Sequence, residues 1–174
     1  MLNWQGHVKL VDFGLSKCLP DKNQMTHSFL GSNGYMSPEI NMKKGHNYLN
    51  DVYNLGIFMY DLLHGFLPFE TQKFKRATEN NINAIHGNII FKDGLSSEGK
   101  DLLKRLLSIK PENRLGGETD VISILYHPWF LSYRKYVNSE TAPDPIFTPD
   151  LSHDNFDTSL NNHLDQLIKE VEGR

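Results

Sequence analysis

Between Asp51 and Leu63 the chain is apolar almost all the way round a helical turn, with Val52, Tyr53, Leu55, Ile57, Phe58, Met59, Tyr60 and Leu62 leaving little polar face. A helix of this kind reads as one buried on every side. It needs other elements around it, and it predicts a core built about a central rod. The elements available are mostly helical. Ser96 or Ser97 is placed to cap a helix whose first turn holds Glu98 and Asp101 and whose later turns hold Lys104 and Arg105. Leu102, Leu103, Leu106 and Leu107 line one face of it. Weaker helical patterns cover residues 73–86 and 119–126. Leu160, Leu164, Leu167, Ile168 and Val171 recur at helical steps, as in an amphipathic terminal helix that packs on the domain, meets another chain, or frays.

Strand signals are few. His7-Val8-Lys9-Leu10-Val11 alternates with the period of a half-buried strand, and Gly6 supports a turn from Asn3-Trp4-Gln5, which together predict a short β-hairpin. From Gly14 to Pro38 no period is sustained, and Gly31, Gly34 and Pro38 punctuate the stretch. This predicts a loop long enough to be functional or disordered. Pro143, Pro145 and Pro149 mark an extended surface segment. The 174 residues suit one mainly α domain with a hairpin remnant.

Charge and composition exclude several functions. The formal net charge is -3, and the lysines are scattered among acids, so no field attracts a phosphate backbone. Nucleic-acid binding is not expected. No apolar run approaches the roughly 20 residues of a membrane span. Met1 to Gly6 lacks a basic and apolar leader, which predicts a cytoplasmic address, with the nucleus open to the chain as well. The single Cys18 forms no internal disulfide and has no zinc-spaced partner. The eight histidines form no His-x-x-x-His pair beside an acid, and no serine lies in a Gly-x-Ser-x-Gly elbow, so metal and serine hydrolases are disfavoured.

Asp12-Phe13-Gly14 follows the strand directly. A carboxylate fixed at a strand end, with glycine to let the chain bend back, suits a metal site, but the triplet alone is also just a strand and a turn. Order makes it specific. Gly31-Ser32-Asn33-Gly34-Tyr35-Met36-Ser37-Pro38-Glu39 comes next, then Asp51-Val52-Tyr53-Asn54-Leu55-Gly56 and Leu62-Leu63-His64-Gly65 with Pro68-Phe69. Lys110-Pro111-Glu112-Asn113-Arg114-Leu115-Gly116 and His127-Pro128-Trp129-Phe130 complete the series. From Leu2 to about Asp157 this resembles the second half of a protein kinase catalytic domain. The stretch from Gly6 to Lys17 and the tail motif Asn155-Phe156-Asp157 look like the AGC group, which includes protein kinases A and B and the ribosomal-protein kinases.

The resemblance implies the C-terminal (large) lobe of the kinase fold without its N-lobe. Residues 1–131 would be a partial catalytic domain, and residues 132–174 an AGC-type tail ending in the amphipathic helix. The parent would transfer the γ-phosphoryl of ATP, with Mg²⁺, to a protein serine or threonine. Asp12 would be the Mg²⁺ ligand, and Asp12, Phe13 and Gly14 would border the nucleotide. Glu39 would close the activation segment and pair with Arg114; the alternative is a surface ion pair worth under about 1 kcal/mol. Asp51 would accept N–H groups of the catalytic loop, or serve as an ordinary acid at a helix start.

Ser28 would be the activation-loop phosphosite, with Thr26 competing, and Ser32 would contact the catalytic base. Asp61, Phe29 and Met36 would read the substrate, Asp61 through a basic residue unless it is simply solvated. Leu30, Asn33, Gly34 and Tyr53 depart from the family's usual cysteine, proline or isoleucine, glutamate and tryptophan. No Gly-rich loop, strand lysine or His-Arg-Asp loop occurs, so no catalytic residue is present and the base is expected upstream of Met1. The implied partners are a protein substrate, an upstream activating kinase and a partner for the terminal helix. The alternative function is a truncated, non-catalytic isoform that binds kinases or substrates.

Overall fold

The computed structural model describes residues 1–32, 34–69, 82, 89–117, 120–136, 144–145 and 148–149. The helical patterns at 73–86 and 160–171, the Asn155-Phe156-Asp157 motif, Asn33 and Pro143 lie outside the described residues, apart from Ile82. The chain divides into two units, Met1–Gly14 with Thr141–Arg174, and Leu15–Glu140.

In the first unit the hairpin is present and small. Lys9 N–H donates to Met1 O at 2.8 Å, the Met1 ammonium donates back to Lys9 O, and Asn3 N–H donates to His7 O at 2.9 Å. The Asn3 carboxamide oxygen accepts from Gln5 N–H and His7 N–H, and Gly6 takes the left-handed φ of 88° that the turn requires. Sequence alternation predicts a half-buried strand over His7–Val11, but only Leu2 and Val8 form a bridge, and Val8, Leu10 and Val11 are exposed. Among the described residues the two arms pair only with each other, which gives alternate side chains no layer to pack against.

The second unit is built on helices. α1 is a single turn, Pro38–Asn41, entered through Pro38, whose fixed φ suits a first helical position. α2 spans Leu49–His64. Its start is held by Asn47, whose side-chain oxygen accepts from Leu49 N–H at 3.1 Å, and Gly65 ends it in the left-handed region. α3 spans Ser97–Leu106, with Ser96 as its cap accepting from Gly99 N–H at 3.1 Å. Leu102, Leu103, Leu106 and Leu107 are buried, as their spacing predicts. The pattern at 119–126 forms a 3-10 helix, Val121–Tyr126, begun by the Asp120 carboxylate accepting from Ile122 N–H.

α2 carries side chains into both core clusters. Tyr53 and Ile57 join Phe69, Ile82 and Leu107, while Leu49 and Val52 join Leu102, Leu106, Leu115 and Ile124. The expectation of burial on every side needs correction, because Leu55, Phe58 and Leu62 form a stripe that is 38%, 50% and 70% exposed. The two clusters occupy the other faces, and apolar periodicity shows what a helix can bury rather than what it does bury.

α2 and α3 approach closely at Gly56, where an added Cβ would lie 2.9 Å from Leu106 Cβ and 3.0 Å from Leu107 Cδ2. Gly56→Val forces branched volume into that contact, so it is expected to lower stability by about 3 kcal/mol. The loss should appear as a lower urea midpoint at unchanged slope.

Candidate functional site

In the first unit, Asp12 has a φ of 64°, a left-handed conformation that aspartate tolerates better than most residues. Gly14 lies close by: a Cβ there would sit 3.4 Å from Asp12 Oδ1, so glycine leaves the flank of the carboxylate open. Phe13 begins a 3-10 turn, Phe13–Leu15, and is 66% exposed. No group of three or more His, Cys, Asp or Glu side chains suited to a metal occurs among the described residues. A lone carboxylate fits Mg²⁺, which keeps several waters and is held by one or two carboxylates together with substrate phosphates.

In the second unit the long loop that the sequence predicts ahead of Pro38 has a fixed and a free part. Thr26 is buried and forms an antiparallel bridge with His46, and Lys17 Nζ donates to its hydroxyl at 3.0 Å. Ser28 is exposed, with its hydroxyl 3.3 Å from that of Thr26. A cleft of about 410 Å³ lies here, lined by Lys17, Thr26, Ser28, His46, Asn50 and Asp51 among others. Asp51 keeps an exposed edge, yet partial burial raises its carboxyl above the ordinary aspartate value, against the pull of the His46 charge and the Asn50 amide. Ser32 is exposed, and its carbonyl accepts from Tyr35 N–H at 3.1 Å in a turn.

Glu39 and Arg114 meet as a buried, two-pronged pair. Nη1 reaches Oε1 at 2.7 Å and Nη2 reaches Oε2 at 2.6 Å. The remaining guanidinium protons go to the carbonyls of Leu49, Ser108 and Ile109. The Tyr53 ring lies beneath, 4.9 Å from Arg114 Cζ, and burial pushes its hydroxyl well above its usual range. The surface-pair alternative is ruled out here, since Arg114 is only 2% and Glu39 only 5% exposed.

Tyr35 hydroxyl donates to the Asp61 carboxylate at 3.2 Å, and burial followed by the Asp61 charge raises the tyrosine above its ordinary value. The Asp61 carboxylate is thereby oriented. Phe29 is 54% exposed with the Lys43 ammonium 6.0 Å from its ring centre, and Met36 is half-buried. Sequence reasoning missed Tyr35 as the group orienting Asp61, and Lys17 with His46 as the fixings of Thr26. No spacing signals these contacts, because each joins loop residues whose approach is set by the packed helices.

The protein kinase domain pattern matches residues 1–130. Ribosomal protein S6 kinase beta of Caenorhabditis elegans is 39% identical over 164 residues, covering 92% of this chain and 28% of the relative. Serine/threonine-protein kinase sck2 of Schizosaccharomyces pombe is 33% identical over 168 residues, covering 93% of this chain and 26% of the relative. Ribosomal protein S6 kinase alpha-2 of Mus musculus is 35% identical over 150 residues, covering 82% and 20%. The chain thus spans about a quarter of the length of these relatives. With a buried Glu39–Arg114 pair closing a Ser-Pro-Glu segment, and with these relatives, the chain belongs to the protein kinase family, in its AGC-type serine/threonine branch.

Proposed function

We propose that residues 1–174 are the large-lobe part of a kinase that transfers the γ-phosphoryl of ATP to protein serine or threonine, supplying the activation segment and the substrate platform. The observation that carries this is the buried Glu39–Arg114 pair, which fixes the end of the segment to the helices beneath it. Asp12 would give one carboxylate oxygen to Mg²⁺, which would supply charge neutralisation to the phosphates. Asp61, held by Tyr35, would take a basic side chain ahead of the phosphoacceptor, and Phe29 and Met36 would offer apolar contacts to the substrate. The second reading, a non-catalytic binding module, draws support from the exposed stripe of Leu55, Phe58 and Leu62.

A chimera separates the two readings, with residues 1–130 replacing the matching segment of the Caenorhabditis elegans S6 kinase beta. It should phosphorylate serine peptides carrying an upstream arginine. In it Asp61→Ala should weaken the arginine preference about tenfold, the worth of a modest charge pair. A folded chimera without transfer would overturn the kinase reading; an untouched preference would overturn the role of Asp61.

Ser28 is the proposed phosphosite. Thr26 is buried and engaged on both sides, whereas Ser28 is exposed and one hydroxyl away from the Lys17 ammonium. A phosphate adds nearly two negative charges and orders a loop by pairing with cations. Mass spectrometry after treatment with an activating kinase should find phosphate on Ser28; phosphate confined to Thr26 would reverse the assignment.

A further inference from the structure

Lys43 follows the cap of α1, with its N–H donating to Ile40 O at 3.0 Å, and its φ of 55° is left-handed. Glycine or asparagine takes that position at little cost, whereas a lysine resists it. Its ammonium lies over the exposed Phe29 ring, 6.0 Å from the ring centre, and among the described residues no carboxylate reaches it. The negative face of a ring attracts a cation, so Phe29 holds the charge at the surface without neutralising it. An ammonium placed in this way still has protons to give to an anion.

Phe29 is also joined to the other residues of this surface. Two positions on, Gly31 lies against Met36, where an added Cβ would be 3.7 Å from Met36 Cγ. Tyr35, next to Met36 in the chain, donates to the Asp61 carboxylate. Contacts and chain neighbours thus connect a placed cation, Lys43, to an oriented anion, Asp61.

We propose that Lys43, held over Phe29, is a second determinant of substrate choice, taking a carboxylate side chain of the bound peptide. The preferred substrate then carries an acidic residue as well as the basic one taken by Asp61. Two readers of opposite sign select a pattern of charge instead of a net charge, and exposed pairs of this kind act on specificity more than on affinity. That the peptide is a phosphoacceptor rests on the kinase reading; that it is held does not.

The test is fluorescence-anisotropy binding, to residues 1–174, of serine peptides with one upstream arginine, in which a single glutamate or glutamine is moved through the remaining positions. At one position glutamate should bind several-fold tighter than glutamine. The ratio should shrink at about 1 M salt, where charges are screened within about 3 Å. Lys43→Asn removes the ammonium yet suits the left-handed backbone, so it should abolish the glutamate preference and leave the arginine preference in place. Lys43→Arg should keep both. Absence of any glutamate-dependent binding by the parent chain would overturn the proposal, as would a glutamate preference that survives Lys43→Asn. The same peptides given to the chimera separate the two readings. Glutamate-selective binding without transfer by a folded chimera would overturn only the kinase reading, whereas transfer indifferent to glutamate would overturn the role of Lys43.

Discussion

Glu39→Gln should remove about 3–5 kcal/mol of stability, the usual penalty for breaking a buried pair from one side. Glutamine can still accept one hydrogen bond, but it leaves the charge of Arg114 uncompensated in a site only 2% exposed. Arginine cannot relieve this by losing its proton. Arg114→Met should be worse, because the same guanidinium also serves the carbonyls of Leu49, Ser108 and Ile109. Each buried carbonyl left alone adds about 1–3 kcal/mol. A double change, Glu39→Leu with Arg114→Met, should therefore do no better than Arg114→Met alone, although many buried pairs can be exchanged for apolar residues without loss. Against a total of about 5–15 kcal/mol, such losses unfold a large share of the molecules. Urea denaturation decides it: single variants within about 1 kcal/mol of the parent would mean that the pair behaves like a surface pair.

Residues 1–174 alone, given Mg²⁺, labelled ATP and a basic protein, should incorporate no label above an Asp12→Ala control. Phosphoryl transfer rests on positioning and on electrostatic stabilisation of the transferring group, and its parts act together. Asp12 would supply one carboxylate. The sequence contains no His-Arg-Asp loop to orient the acceptor hydroxyl, and losing a general base typically costs about 10² to 10⁴ in rate. It also contains no Gly-rich loop or strand lysine in a kinase motif to hold the phosphates. Such losses are not additive, and none restores another. Label incorporated by the parent chain and abolished by Asp12→Ala would show that these residues suffice for catalysis.

The helices of the second unit were legible because their signals are local. Ser96, Glu98, Lys104 and the leucines of α3 sit where capping, the helix dipole and periodicity put them. The partnership of Glu39 with Arg114 was legible only through resemblance, since no local rule links residues 75 apart. The bland side of α2 misled for a physical reason: Leu55, Phe58 and Leu62 are as apolar as Val52 and Ile57, and nothing in composition says which of them meets a neighbour. The left-handed backbone of Asp12 was invisible as well, because aspartate adopts that conformation only where surrounding structure demands it.

The reach of Arg114 also bears on the order in which the molecule assembles. Its partner carboxylate is 75 residues away, whereas the bonds within α2 and α3 close over four. Chain-closure entropy must be overcome before such a distant contact contributes anything, while helical turns form locally and early. Docking of the Glu39 segment is thus a late event that waits on the helices, and the contacts made last are those whose loss chiefly speeds unfolding rather than slows folding. The part of the fold that bears Ser28 is in this sense the newest and most readily surrendered layer of the lobe, held to an already formed scaffold by the Arg114 guanidinium at its end and by the backbone bonds between Thr26 and His46.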